Sequence, residues 1–389
     1  MPRVSQHRSH VDDLRGAGRL AVEATAGVTD LVRDMHRTIA SGPALLGKPL
    51  AGPVSLLTGL VYGSIRGVAG VVGAGLDATL AQLGPLLGAS VPGPGREAVL
   101  AALNGVLGDY LGETGNPLAI QMQARCERRE GARLLVLVHG SCMSGRQWTR
   151  HGHDHGAALA RDLGYTPVYI DYNSGLHVST NGRALAGLLE QLVSGWPCAV
   201  DELSILAHSM GGLVARSACH VAEGEGAVHL WRRKLRKLVF LGTPHHGSPL
   251  ERGGNILDVL LEISAYSAPF ARLGRIRSAG VTDLRFGNLL DAHWQGRDRF
   301  APGADARRAV PLPAGVECHA IAATTALEPA GRLPGDGLVP VESALGMHER
   351  SELTLPFADD HKWIGLGMKH LDLLDRPEVY QRLRSWFEA

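Results

Sequence analysis

Between residues 130 and 389, short apolar runs alternate with amphipathic stretches, and this alternation sets the expected architecture. Arg133–Val138 (RLLVLV) is continuously apolar, the pattern of a strand buried on both faces. Pro167–Tyr172, Leu203–Ala207, Leu238–Leu241 and Val316–Ala323 repeat it, and Leu353–Phe357 is a candidate sixth strand. Between them, Ala157–Leu163, Arg183–Val193 and Gly211–Ala222 carry apolar residues at three- and four-residue spacing, as helices do, and Pro377–Phe387 closes the chain as a further helix. Strands and helices in this rhythm predict βαβ units around a mostly parallel sheet. Residues 250–313 break the rhythm, and an insertion of that size is expected to form a cap or lid.

The first 125 residues have a different texture. Val11, Leu14, Ala21, Val28, Leu31, Val32, Met35 and Ile39 lie near a 3.6-residue period, which predicts an amphipathic helix over 11–41. Residues 53–88 are rich in Leu, Val and Gly, with Gly59, Gly63, Gly67 and Gly70 at close spacing; such small residues let helices approach one another or meet lipid. Pro92-Gly93-Pro94-Gly95 is a breaker, and 96–112 reads as another short helix. This helical region is a candidate for peripheral membrane contact, although it lacks the basic face that such anchors carry. Composition supports a boundary near 125: the first 125 residues hold 20 of the 50 glycines but only Tyr62 and Tyr110 among the aromatics, and all six Trp and six Phe lie beyond. The expected organisation is therefore a helical N-terminal region, 1–125, and an α/β domain, 126–389.

A formal net charge of +1 removes any bulk electrostatic case for nucleic acid. Five cysteines, an odd number without C-x-x-C spacing, fit a reduced, cytoplasmic protein. The polar start, Met1 to Arg8, does not have the pattern of a secretory leader.

The chemistry centres on Leu203-Ser204-Ile205-Leu206-Ala207-His208-Ser209-Met210-Gly211-Gly212. An apolar strand runs into small-x-Ser-x-Gly-Gly and then into a helix. A serine on so sharp a turn needs small neighbours two positions away on either side, and it faces a helix N-terminus that favours developing negative charge. Ala207 stands where glycine is usual, and it is small enough for the turn.

Ala207-His208-Ser209-Met210-Gly211-Gly212 resembles the nucleophile elbow of bacterial lipases and esterases of the α/β-hydrolase superfamily. Leu241-Gly242-Thr243-Pro244-His245-His246-Gly247-Ser248, Gly335-Asp336-Gly337-Leu338-Val339-Pro340 and Lys369-His370-Leu371-Asp372 resemble further segments of such lipases, over roughly 130–389. The resemblance implies an α/β-hydrolase fold and a chain order of Ser, acid, His.

A serine hydroxyl needs a neighbouring base, itself oriented by a third group. A base on the loop after the last strand leaves His361 and His370, and His370 fits both position and family pattern. Asp336 follows the preceding strand between two glycines; Asp359 and Asp360 are the alternatives. Two backbone N–H groups should meet the oxyanion of acyl transfer: that of Met210, after the nucleophile, and by resemblance that of Ser141, in Val138-His139-Gly140-Ser141-Cys142. His139 is read as structural, and Cys142 is a poorer nucleophile candidate than Ser209. His151, His153 and His155 do not share a face on a helix and are not read as a metal site. No cofactor or metal is expected.

The expected activity is hydrolysis of a small-molecule carboxylic ester or lipid through an acyl-enzyme. An acyltransferase or lipid-remodelling enzyme with the same residues is the nearest alternative, and a non-catalytic binding protein on the same fold is the other. Fold does not choose among substrates.

Overall fold

The computed structural model of the chain describes residues 15–19, 94–224, 229–248, 278–299, 305–329 and 331–388. Two compact units are distinguished: 94–113 with 119–388 form one among these residues, and 15–19 with 114–118 belong to the other. Residues 15–19 are helical. The rest of the helix expected over 11–41, the Gly-rich stretch 53–88 and about half of the cap expected over 250–313 lie outside the described residues, as does the membrane contact assigned to the N-terminal region. Among the described residues, no helix is long and apolar enough to cross a membrane.

The larger unit opens with helix α1 (Pro94–Glu113) and is built on a seven-stranded sheet. Its strands are β1 (Gln123–Arg125), β2 (Arg133–Val138), β3 (Thr166–Asp171), β4 (Glu202–His208), β5 (Leu235–Leu241), β6 (Glu317–Thr324) and β7 (Lys362–Leu366), in the spatial order β1-β3-β2-β4-β5-β6-β7. Every pairing is parallel except that of the edge strand β1 with β3. Helix α2 (His155–Leu163) joins β2 to β3, α3 (Val178–Ser194) joins β3 to β4, and α4 (Met210–Ala222) follows β4; α5 (Pro377–Glu388) ends the chain.

Side chains alternate across a strand, so one continuous apolar run feeds two cores. Leu134, Val136 and Val138 of β2 pack with Ile205, Phe240 and, from α3 and α4, Leu185, Leu189 and Leu213. Leu135 and Leu137 point the other way, to Leu159, Val239, Leu383 and Phe387. This is why RLLVLV shows no polar alternation.

The sixth strand differs from the expectation. Leu353, Leu355 and Phe357 are buried while Thr354 and Pro356 between them are exposed, which is strand-like periodicity. Yet Ser351–Leu353 is a single 3₁₀ turn, Leu355 N–H donates to Gly346 O (2.8 Å), and Pro356 has no N–H to give to a ladder. The strand forms instead at Lys362–Leu366, whose residues are mostly half-buried because it is the sheet edge.

Candidate active site

The parallel sheet collects the predicted residues at the C-terminal ends of its strands. Ser209 follows β4 directly, with φ 54° and ψ −128°, and caps α4. Only three described non-glycine residues have positive φ, and Ser209 and Cys142 are two of them. Such a backbone costs on the order of 1–3 kcal/mol and persists only where the surroundings impose it. Ser209 N–H donates to Leu241 O (2.8 Å) and Ser209 O accepts from Gly212 N–H (3.0 Å), which ties the turn to β5 and to α4. The neighbours must also be small: a Cβ on Gly140 would lie 2.9 Å from Ser209 Cβ, and one on Gly211 would lie 2.5 Å from His139 O.

Asp336 and His370 meet across the β6 and β7 loops. Asp336 is 1% exposed and His370 2%. His370 Nδ1–H donates to Asp336 Oδ2 (2.7 Å), and His370 N–H donates to Asp336 O (3.1 Å). The other carboxylate oxygen, Oδ1, accepts the N–H groups of Leu338 (2.9 Å) and Val339 (2.8 Å), a turn that Gly337 closes at φ 96°. With its proton held at Nδ1, the imidazole keeps its lone pair on Nε2. His370 and Ser209 line one cavity with Ser141, Met143, His208, Pro244, Ser248, Leu284, Leu338, Val339 and Leu371, so apolar groups dominate its wall.

Ser141 lies in the turn after β2, and Met210 is the first residue of α4. Among the described residues, neither backbone N–H finds an acceptor. The next N–H, that of Cys142, is turned away and donates to Ser174 Oγ (3.0 Å). Gly145 N–H, further along the loop, donates to Asp171 Oδ1 (2.7 Å).

The alternatives are placed elsewhere. His361 precedes β7, at the opposite end of the sheet from Ser209, and its Nδ1–H donates to Cys318 O (3.2 Å). Asp359 pairs with Lys362 beside it. Cys142 is buried, and burial pushes its thiol up to about 11, far from a thiolate at neutral pH. His139 is buried against Tyr172 and held down to about 4 by loss of solvent. His153 Nε2–H donates to His155 Nδ1 (2.8 Å) and His155 Nε2–H to Leu373 O (3.0 Å), so this pair braces the turn that carries His370. Among the described residues, no cluster of three His, Cys, Asp or Glu could hold a metal ion.

Two supporting residues were not singled out from sequence. His208 is fully buried, its Nε2–H donates to His370 O (3.3 Å), and its ring centroid is 4.7 Å from that of His370. Burial, and then the adjacent His370, hold His208 neutral, well below the ordinary imidazole range. Ser248 Oγ–H donates to Leu338 O, which bonds the loop after β5 to the loop of Asp336. Proximity to Ser209 was the available signal for His208; Ser248 gave none beyond its place at the end of the lipase-like segment Leu241–Ser248.

Residues 130–302 match the family model described as the PGAP1-like alpha/beta domain. No curated protein matches the chain. Solved structures similar to it include a Bacillus licheniformis lipase in mature form (18% identity, TM-score 0.43, covering 69% of this chain and 98% of that one). A phospholipase from Legionella pneumophila (17%, 0.41, 66% and 59%) and a Pyrococcus furiosus esterase (14%, 0.41, 69% and 86%) are others. The family match spans four consecutive strands of the parallel sheet, β2 to β5, and agrees with the α/β architecture that the topology shows.

Proposed function

We propose that the protein is a serine hydrolase that cleaves the carboxylic ester bond of a small-molecule ester or lipid. The observation that carries the reading is the buried His370–Asp336 hydrogen bond of 2.7 Å beside a serine held at φ 54° on a strand-to-helix turn. In this reading Ser209 Oγ attacks the ester carbonyl carbon and its proton passes to His370 Nε2. Asp336 orients the imidazole and stabilises the imidazolium. The N–H groups of Ser141 and Met210 receive the negative charge that forms on the carbonyl oxygen. Collapse of the tetrahedral adduct expels the alcohol, which takes the proton from His370 and leaves an acyl-Ser209. Water, deprotonated by His370, attacks that acyl group by the same route and releases the acid. The apolar wall of Met143, Pro244, Leu284, Leu338, Val339 and Leu371 supports a substrate with an alkyl or acyl portion.

The test is covalent labelling. A fluorophosphonate probe is expected to modify the wild-type protein at Ser209 and not the Ser209→Ala variant, while p-nitrophenyl ester turnover falls by about 10⁴-fold or more in that variant. Equal labelling of both proteins would falsify the assignment.

A further inference from the structure

Helix α1 precedes the whole sheet in the chain, yet it is seated on the loop after β2. A Cβ on Gly105 would run into Cys142 Sγ and lie 2.9 and 3.0 Å from Cys142 Cα and Cβ. A Cβ on Gly108 would collide with the Asn173 amide, whose Nδ2–H donates to Gly108 O (2.8 Å) and whose Oδ1 accepts from Gly175 N–H (3.0 Å). The helix backbone therefore touches both the loop that carries Ser141 and the segment that follows β3.

Cys142 makes this contact consequential. It is the residue after Ser141, it bears a side chain at φ 58°, and a conformation of that kind is kept only by what surrounds it. Ser174 holds its N–H from one side, and Gly105 closes over its side chain from the other. The strained residue points its own N–H into the protein, while the N–H of Ser141 beside it has no acceptor among the described residues. The same helix also holds the segment that begins at Ser278: Ser278 Oγ–H donates to Gly105 O (2.6 Å) and Ala279 N–H to Asp109 Oδ2 (2.9 Å).

We infer that Gly105 is a positioning residue: by seating α1 on Cys142 it fixes the backbone of Ser141, so this N-terminal helix is a working part of the oxyanion site. The inference rests on the role given to Ser141 under the proposed function. Its consequence is that the catalytic unit begins at the start of α1, ahead of the first strand.

The experiment uses the full chain, with kcat expressed per active site titrated by the fluorophosphonate probe. Loss of one oxyanion donor costs roughly 10²–10³ in kcat, and displacement should cost part of that. Gly105→Ala is expected to lower per-site kcat for p-nitrophenyl butyrate at least about tenfold, with KM within about twofold of wild type. Gly112→Ala, on the exposed side of the same helix with its nearest neighbour at 3.3 Å, should leave both unchanged. Adding Cys142→Ala to Gly105→Ala removes the Sγ collision and should recover about threefold or more of the lost rate, a coupling that independent sites do not show.

If Gly105→Ala does not accumulate as folded protein, Cys142→Ala alone decides. It loosens the same contact from the loop side and should lower per-site kcat about threefold at unchanged KM; an unaltered rate overturns the inference. Wild type labelled at Ser209, with Gly105→Ala equally fast per site, overturns this inference alone. Wild type unlabelled at Ser209 overturns the hydrolase reading and this inference with it.

Discussion

Ser209 stands on backbone strain, at φ 54° between β4 and α4, whereas Asp336 is held by hydrogen bonds that use both of its carboxylate oxygens. Around Ser209 the constraint is steric: Gly140 and Gly211 are present because no Cβ fits. Around Asp336 the constraint is polar: two N–H groups and one imidazole fix the carboxyl in a site that is almost without solvent. The two halves of the site should therefore fail in different ways. The serine half fails when volume is added, and the Asp336–His370 half fails when a donor or acceptor is exchanged at constant volume.

Four substitutions or conditions, besides the Ser209→Ala test, bear on that contrast, beginning with the largest effect. Asp336→Asn keeps the shape and an oxygen for Leu338 and Val339 but turns an N–H toward His370 Nδ1. The imidazole should adopt the wrong tautomer, and kcat is expected to drop about 10³–10⁴-fold with little change in melting temperature. A loss below tenfold would remove Asp336 from the orienting role.

Acid should weaken the whole fold before it touches the carboxyl groups. His139 and His155 are fully buried and held neutral, each down to about 4 by burial. Below pH 6.5 the unfolded chain takes up protons that the native state refuses, so stability present above 6.5 is lost as pH falls toward about 4. The slope is up to about 1.4 kcal/mol per pH unit for each such histidine. Urea midpoints measured from pH 7.5 to 4.5 should decline through this window; a flat profile contradicts the neutral assignment.

Gly211→Ala tests the steric half, since its Cβ would press on the carbonyl oxygens of Val138 and His139, which are backbone and cannot swing away. A destabilisation of about 1–3 kcal/mol is expected in the urea midpoint. The smallest effect has the opposite sign. Ser209→Gly relieves the positive φ and should raise stability by about 1 kcal/mol while abolishing turnover. Lower stability in that variant would mean that the turn is not strained.

The same contrast explains what could be read from the chain. The elbow was legible because its requirement is local: an apolar strand, then small-x-Ser-x-Gly-Gly, within ten residues. Asp336 and His370 were legible through their order after successive strands, although 34 residues separate them. Leu353–Phe357 misled because alternating burial does not by itself make a strand; Pro356 and the bond from Leu355 to Gly346 keep it out of the sheet. Arg216 had no signal at all. It is buried within α4 and donates to Val310 O and toward His245 Nδ1, and burial lowers its guanidinium to about 9.

By itself, the sequence determined the parallel α/β architecture and the serine-bearing turn, because apolar periodicity and steric fit act between near neighbours along the chain. The sequence already favoured His370 over His361, and the tertiary structure supplies the physical reason: the two residues flank opposite ends of β7, and His370 lies at the end that shares a cavity with Ser209. Only the tertiary structure decided that Gly105 closes over Cys142, because contact between residues 37 positions apart depends on the packing of α1 and leaves no periodic mark in the chain.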